Sequence, residues 1–581
     1  MQRLLLSRAM TLAALPFAAL SAQDAGQGGR PVVSPSGRPT VACTGQRVDQ
    51  IIIYAEAPSV DKLRRVPVVA RMARTLHVTT NPEVIRRFIL MDEGEPCSEL
   101  RRAESERILR AQPFIADADL FVVAGDEGGV DLEVRTSDEA SIVFGGGVRS
   151  RAPMVTNFLL GNANLGGEGI YTSFAWRYGD GFRDGVAAKL IDYQFLGRAW
   201  VLGLEGERAR IGGSWRIEGT RPFLTDLQRL AWRVRSGQSS GYTELRMPNG
   251  ARPTVAVARN FFDVGGLARV GPPGRLTLIG ISFTGDDERP GDRLLAADQG
   301  VLRDLGPVPI PYSPHRIARG NLLLGLRDIT FVRRDGLDAL TATQDVPVGF
   351  QLGTQWGRSM GVLGAKEEDF FLAGNLYVGA ASRLGVIRFQ AQGEGRRGSD
   401  VGEWDGLLTT ARLTHYLRVA PAQMNVVSVE FSNGYRQRTP FQLYLGVPDG
   451  GVRGYEQSSF AGGQRLVVRA EHRYVMGKVL DVGDAGLAVF ADAGRQWAGD
   501  VPFGVTTPVK SSIGLSLMAA VPSRSARLWR LDLAVPLGSG ANRGYTLKFT
   551  NADRTQFVFR EPRDVSAGRE LTVPSSIFAW P

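Results

Sequence analysis

The sequence predicts a mainly β protein: a transmembrane antiparallel β-barrel over residues 139–551, with a small α/β domain over residues 41–136 before it. Three observations predict it. Apolar and polar residues alternate with period two through most of the chain after Glu139. The 71 glycines, alongside 43% hydrophobic residues, suit a turn-rich β protein. The third is where the charge falls. In residues 464–474, Arg465, Arg469, Glu471 and Arg473 share one face, and Leu466, Val468, Ala470 and Tyr474 share the other. In residues 487–497, Phe490, Asp492 and Gly494 oppose Leu487, Val489, Ala491 and Ala493. That polar face is too densely charged for a solvated sheet. Lipid outside and a polar lumen inside explain both faces.

Residues 1–22 read as a secretory signal: Arg3 and Arg8 precede an apolar run, and small residues follow at Ser21 and Ala22. The Gly/Pro/Ser-rich stretch 23–40 reads as a disordered linker. The small domain then begins with a strand at 47–53 and a helix at 66–76. Thr80 caps a helix over 81–90, with Glu83 completing a capping box and Pro82 tolerated in the first turn. Gly94-Glu95-Pro96 breaks the chain, and Ser98 caps a second helix ending at Arg110. Strands at 119–124 and 130–135 follow, joined by a turn at 126–129. Cys43 and Cys97 are the two cysteines. In an oxidising compartment they pair, and the closed loop contributes about 4 kcal/mol in the chain-entropy model; two buried free thiols are the alternative.

In the barrel region Phe174, Trp176 and Tyr178 oppose Ser173 and Arg177; Val427, Val429 and Phe431 oppose Ser428, Glu430 and Ser432. Trp529, Leu531, Leu533 and Val535 oppose Arg530 and Asp532; Tyr545, Leu547 and Phe549 oppose Thr546, Lys548 and Thr550. Between 16 and 20 such strands can be counted along this region. Trp497 and Trp529 sit at strand ends, as interfacial aromatics do. The longest loops fall at 287–314 and 435–460. Gly145-Gly146-Gly147 lies in the first barrel strand, where glycines lower strand stability. The tail 554–581 has no place in this pattern. It reads either as a further strand segment at 557–559 or as a return toward the side of the small domain.

No stretch after the signal reaches the roughly 18 apolar residues of a membrane helix. The net charge of +10 comes from arginines spread along strands, not from a basic module interleaved with aromatics, which argues against nucleic acid. Lumen charges and anionic lipid head groups account for them better. The four histidines, His77, His315, His415 and His472, have no metal-ligand spacing. No nucleophile elbow or phosphate loop occurs. Asp286-Asp287-Glu288 reads as a solvated acidic turn in preference to a cation site. The expectation is a non-enzyme with no cofactor and no metal.

Gly450-Gly451-Val452-Arg453-Gly454-Tyr455, then Glu471-x-Arg473, then Phe490-x-Asp492-x-Gly494-x-x-Trp497, resemble the BamA/TamA superfamily of outer-membrane assembly barrels. The resemblance implies 16 strands. It also implies a long extracellular loop (Val452, Arg453, Gly454, Tyr455) folded into the lumen, where Arg453 meets Glu471 and Asp492 beside Phe490 and Gly494. A guanidinium can fork onto two carboxylates where lysine cannot, although a wet lumen would screen the pair. The small domain resembles a POTRA domain through Gly94-Glu95-Pro96, residues 104–110 and Pro113-Phe114-Ile115-x-Asp117-Ala118. It departs in a long insert at 55–78 and in being single.

The resemblance implies a bacterial outer-membrane location, with the POTRA-like domain in the periplasm. Its partners would be unfolded outer-membrane or secreted client proteins, outer-membrane lipids, and periplasmic chaperones or accessory proteins. An exposed strand edge could take a client peptide as an added strand; a spacer or plug that binds no client is the alternative. The function expected is insertion or translocation of other proteins through a weak seam between first and last strands. A two-partner-secretion-type transporter pore and a passive porin or surface antigen are the competing readings.

Overall fold

A computed structural model describes residues 33–57, 78–148, 155–178, 184–298, 301–310, 312–398, 402–447, 450–455, 460–479, 483–538, 544–553 and 561–569. The signal at 1–22, the helix expected at 66–76 and the strand segment at 557–559 lie outside the described residues.

The small domain comprises β1 (Thr44–Glu56), α1 (Pro82–Arg86), β2 (Pro96–Ser98), α2 (Glu99–Arg110), β3 (Ile115–Ala124) and β4 (Val130–Asp138). Its sheet runs β2–β1–β4–β3, with β1 parallel to β4 and the other neighbours antiparallel. Val84, Ile85, Ile108, Leu109, Phe114 and Val134 form the core between helices and sheet. Two local expectations change. The first helix ends at Arg86, because Phe88 and Ile89 bond back three residues and tighten the chain out of the α-helix. Its cap is Asn81, whose side chain accepts from the Glu83 amide (3.0 Å), while Thr80 is engaged elsewhere. Ser98 does precede α2, but its side chain makes no capping bond. The Cys43 and Cys97 sulfurs are bonded, with S–S 2.02 Å.

Residues 33–40, expected in a disordered linker, pack on the sheet. Arg38 meets Asp131 (2.7 Å) and Glu133 (2.9 Å), and the Val41 amide donates to Val122 O (2.9 Å). Charge pairing to a sheet face is what composition alone does not show. The neighbouring carbonyls on the same edge of β3 are also taken: Arg102 donates to Leu120 O (2.8 Å) and Arg110 to Ala118 O (2.9 Å). One edge of the sheet is therefore satisfied from within. The β1 edge is engaged toward its start: β2 pairs with it at Thr44 and Arg47, the Val48 amide donates to Glu95 O (2.9 Å), Val48 O accepts from the Gly94 amide (2.8 Å), and the Ile51 amide donates to Glu93 (3.2 Å).

Among the described residues, twenty-two strands join in one closed antiparallel sheet. Two of them, Arg293–Asp298 and Val301–Pro307, form a hairpin within the loop expected at 287–314, and the strand Arg275–Pro290 pairs directly with His315–Asp335 beneath it. That leaves twenty in the wall, against the 16 implied by the resemblance. The candidates beyond 16 are wall strands because they too pair on both edges and alternate outward apolar residues.

The wall inverts the rule for a soluble protein. Ile513, Leu515 and Leu517 are about half exposed, while Ser512 and Ser516 on the opposite face are buried. The same holds for Leu487 and Val489 against Phe490 and Asp492. An exposed apolar belt around a buried polar interior is the surface of a lipid-facing barrel. Inward arginines are paired, with a carboxylate of another strand as in Arg319–Asp369 (2.9 Å) or with one of a mouth turn as in Arg327–Asp226 (3.0 Å). Asp286 and Glu288 belong here too: they are inward residues of the strand Arg275–Pro290, facing Arg259, not a solvated turn.

The lumen is filled from both ends. At the end that carries the small domain, the turn 336–342 folds inward: Leu340 packs against Ala488, Met518 and Leu528, and Leu337 O accepts from Arg473 (2.7 Å). The small domain covers this mouth. Arg110 forks onto Asp345 (2.8 and 3.0 Å), Arg107 donates to Leu224 O (2.6 Å), and Glu139 accepts from Ser525 (2.7 Å). Thr80 donates to Asp138 and accepts from Asn164 (both 2.8 Å), which ties the domain to another mouth turn. The described part of the tail does not run toward the small domain; it places α3 (Arg563–Gly568) inside the barrel.

Candidate functional site

The site lies where the loop after the strand Gln423–Tyr435 enters the lumen. The loop is closed at its base by a two-residue pairing of Leu443–Tyr444 with Ala461–Gly462. The Val452 amide donates to Leu445 O (2.7 Å), and Arg469 donates to Gly451 O (2.7 and 3.1 Å), so both backbone and wall hold the turn. Leu445, Val452 and Tyr455 pack on the wall residue Val467. Tyr455 donates to Leu537 O (3.0 Å) and Ser511 O (3.2 Å) on two later strands.

Arg453 reaches the wall between these anchors. Its Nε and Nη2 each lie 2.7 Å from one oxygen of Asp492, its own amide donates to the same carboxylate (3.2 Å), and Nη1 meets Glu471 (3.0 Å). The guanidinium carbon lies 3.5 Å from the centre of the Phe490 ring, so the planar cation is stacked as well as forked. Gly454 adopts a left-handed φ of +91°, and a Cβ there would sit 3.1 Å from Pro536 Cγ. A Cβ on Gly494 would meet Val452 Cγ2 at 2.6 Å, so that glycine clears the seat for Val452.

All eight residues singled out from sequence thus meet in one place: Val452, Arg453, Gly454 and Tyr455 from the loop, Glu471, Phe490, Asp492 and Gly494 from two adjacent strands. The setting is drier than the wet lumen expected, because Asp492 is 2% exposed. The loop covers it, and the mouth turn reaches its edge through Leu337 O on Arg473.

Compared with known proteins, no family model and no curated protein sequence matches this chain. Among solved structures it is similar to BamA from Haemophilus ducreyi lacking POTRA domains 1–3, at 14% identity, covering 87% of this chain and 84% of that one, with a TM-score of 0.36. It is similar to CdiB from Escherichia coli at 13% identity, covering 87% and 75%, with a TM-score of 0.40. The siderophore receptor PirA from Pseudomonas aeruginosa matches at 11% identity, covering 74% and 73%, with a TM-score of 0.30.

Sequence reasoning missed one member of the site. Arg530 forks onto Glu471 (2.9 and 3.0 Å) and also meets Asp532 (3.0 Å), while Arg473 adds a third cation on Glu471 (2.5 Å). Arg453, Arg473 and Arg530 therefore face Glu471, Asp492 and Asp532, three charges of each sign. Parity places Arg530 on the inward face; only the curvature of the closed wall brings it across to Glu471.

Proposed function

We propose that this chain is an outer-membrane barrel that assists the insertion or translocation of other proteins. The reading keeps a single POTRA-like domain in the periplasm, beneath the mouth it covers. The observation that carries it is the loop tip: Arg453 on Asp492 and Glu471, stacked on Phe490, is the arrangement the BamA/TamA resemblance implies. The filled lumen also speaks against a porin.

Client docking by strand addition would use the β1 edge, since the β3 edge has spent its carbonyls on Arg102, Arg110 and Val41. A client would then pass to the seam between the first barrel strand, Ile142–Val148, and the last, Thr546–Asp553. Unfolded clients, periplasmic chaperones and outer-membrane lipids are the partners this reading needs.

A two-partner-secretion-type transporter pore is the second reading: that family usually carries a plug helix, and here α3 lies inside the lumen. Reconstitution into liposomes separates the two. Faster insertion of unfolded outer-membrane proteins supports the assembly reading. No acceleration together with steady ion conductance overturns it in favour of the pore.

A further inference from the structure

The segment 561–569, Glu-Pro-Arg-Asp-Val-Ser-Ala-Gly-Arg, is seated in the lumen against strands far from its own in sequence. Asp564 accepts from Arg465 (2.5 Å), a wall side chain only 1% exposed, and from the Tyr444 amide of the loop (2.8 Å). Arg569 pairs with Glu394 (3.1 Å) and with Glu561, and Glu561 in turn accepts from Thr410 (3.2 Å). Val565 is fully buried with Leu408, Phe441, Leu443 and Val501, two of which belong to the loop. A Cβ on Gly450 would lie 2.2 Å from Pro562 Cγ, so loop and tail are in direct contact.

These contacts differ in kind from a tail resting in a cavity. Asp564 in the first turn of α3 and Arg569 just after its end each meet a wall residue of opposite charge, and the apolar Val565 is buried between them. Asp564 also bridges wall and loop at once, because Arg465 and Tyr444 share its carboxylate.

We propose that the lumen wall around Arg465, Thr410 and Glu394, with the inner surface of the loop at Phe441–Tyr444, is a peptide-binding site. Its resident ligand is this chain's own segment 561–569, which acts as a latch. While it is bound, the loop carrying Arg453 is fastened from below as well as at its tip. Release of the latch frees one side of the loop without breaking the Arg453 contacts themselves. The inference stands on contacts separate from the insertion reading, and its test does not measure insertion.

The test is hydrogen–deuterium exchange by mass spectrometry on the full chain in lipid nanodiscs, following the segments 441–455 and 561–569. Wild type should protect both. Asp564→Arg sets a cation against Arg465 and should lose protection in both segments by at least an order of magnitude, while the wall strand Lys510–Ala520 stays protected and shows the barrel folded. Combining Asp564→Arg with Arg465→Asp restores the charge pair and should recover part of the protection. The latch is overturned if segment 561–569 exchanges freely in wild type, or if Asp564→Arg leaves it protected. It is also overturned if the tail loses protection and the loop does not. A double variant no better than Asp564→Arg would remove the Arg465 contact from the site.

Discussion

Removing Arg453 does not leave two equal orphans. Glu471 keeps Arg473 and Arg530, whereas Asp492, almost wholly buried, loses its forked partner. Breaking a buried pair from one side costs about 3 kcal/mol, because the remaining charge stays desolvated. Arg453→Ala should therefore release the loop, raise its protease sensitivity and slow client insertion, with the barrel still folding. Arg453→Lys keeps the charge but not the fork or the ring stacking, and should recover only part of the loss. Wild-type behaviour of Arg453→Ala in both assays would reduce the motif to a remnant. Because Glu471 retains two cations without it, Arg530→Ala should loosen the loop less than Arg453→Ala does, and the same protease assay ranks them. Alternation alone places Glu471, Asp492 and Arg530 on the inward face. The distance that sequence cannot supply is the one across the lumen, since Arg530 and Glu471 belong to strands that are not neighbours.

At the scale of elements, the small domain carries a pH dependence of its own. Burial pushes the Asp117 carboxyl up to about 6 despite Arg524, and burial likewise pushes Asp138 up to about 6 despite its two bonds from Thr80. A raised carboxyl binds its proton more tightly in the folded chain. Its stabilising share is complete below the ordinary value of 3.8 and is lost as pH rises through about 6. Each group is worth at most about 3 kcal/mol. Exchange protection of β4 in the full chain, corrected for intrinsic rates, should fall as pH rises from about 4 through about 6 and level off above that. Asp117→Asn should flatten part of that fall; protection that is level or rises with pH would rule the effect out. The two helices and the strands β1, β3 and β4 were legible from chain breakers and alternation, but not the caps, since neither Thr80 nor Ser98 caps its helix, and not β2, which starts at the proline of the Gly94-Glu95-Pro96 break. Its docking was not, because Arg110 and Asp345 are far apart in sequence and nothing local marks them as partners. The tail was illegible for a related reason: a six-residue helix has too few turns to show a periodicity, and its anchors lie on strands well before it.

For the whole molecule the seam is the weak point that the proposed function requires. The first barrel strand holds Gly145-Gly146-Gly147, which offer no side chains to pack against a neighbour. Closure there is reinforced on the outer face by aromatic rings. Trp529, on the strand next to the last, stacks on Phe144 of the first strand with centroids 4.5 Å apart and lies 5.6 Å from Phe549 of the last strand. Such contacts contribute about 0.5–1.5 kcal/mol each beyond the area they bury. Trp529→Ala should therefore lower the temperature at which the folded barrel unfolds in a heat-modifiability gel. If client strands enter at this seam, the same change should speed insertion at a fixed temperature, since less must be broken to part the two strands. Trp356 provides the control, an outward aromatic of the same type on the strand Thr343–Ser359, away from the seam. Trp356→Ala should cost comparable outer-face packing and leave the insertion rate unchanged. Equal rates for the two variants would mean that the closure between first and last strands is not where clients pass.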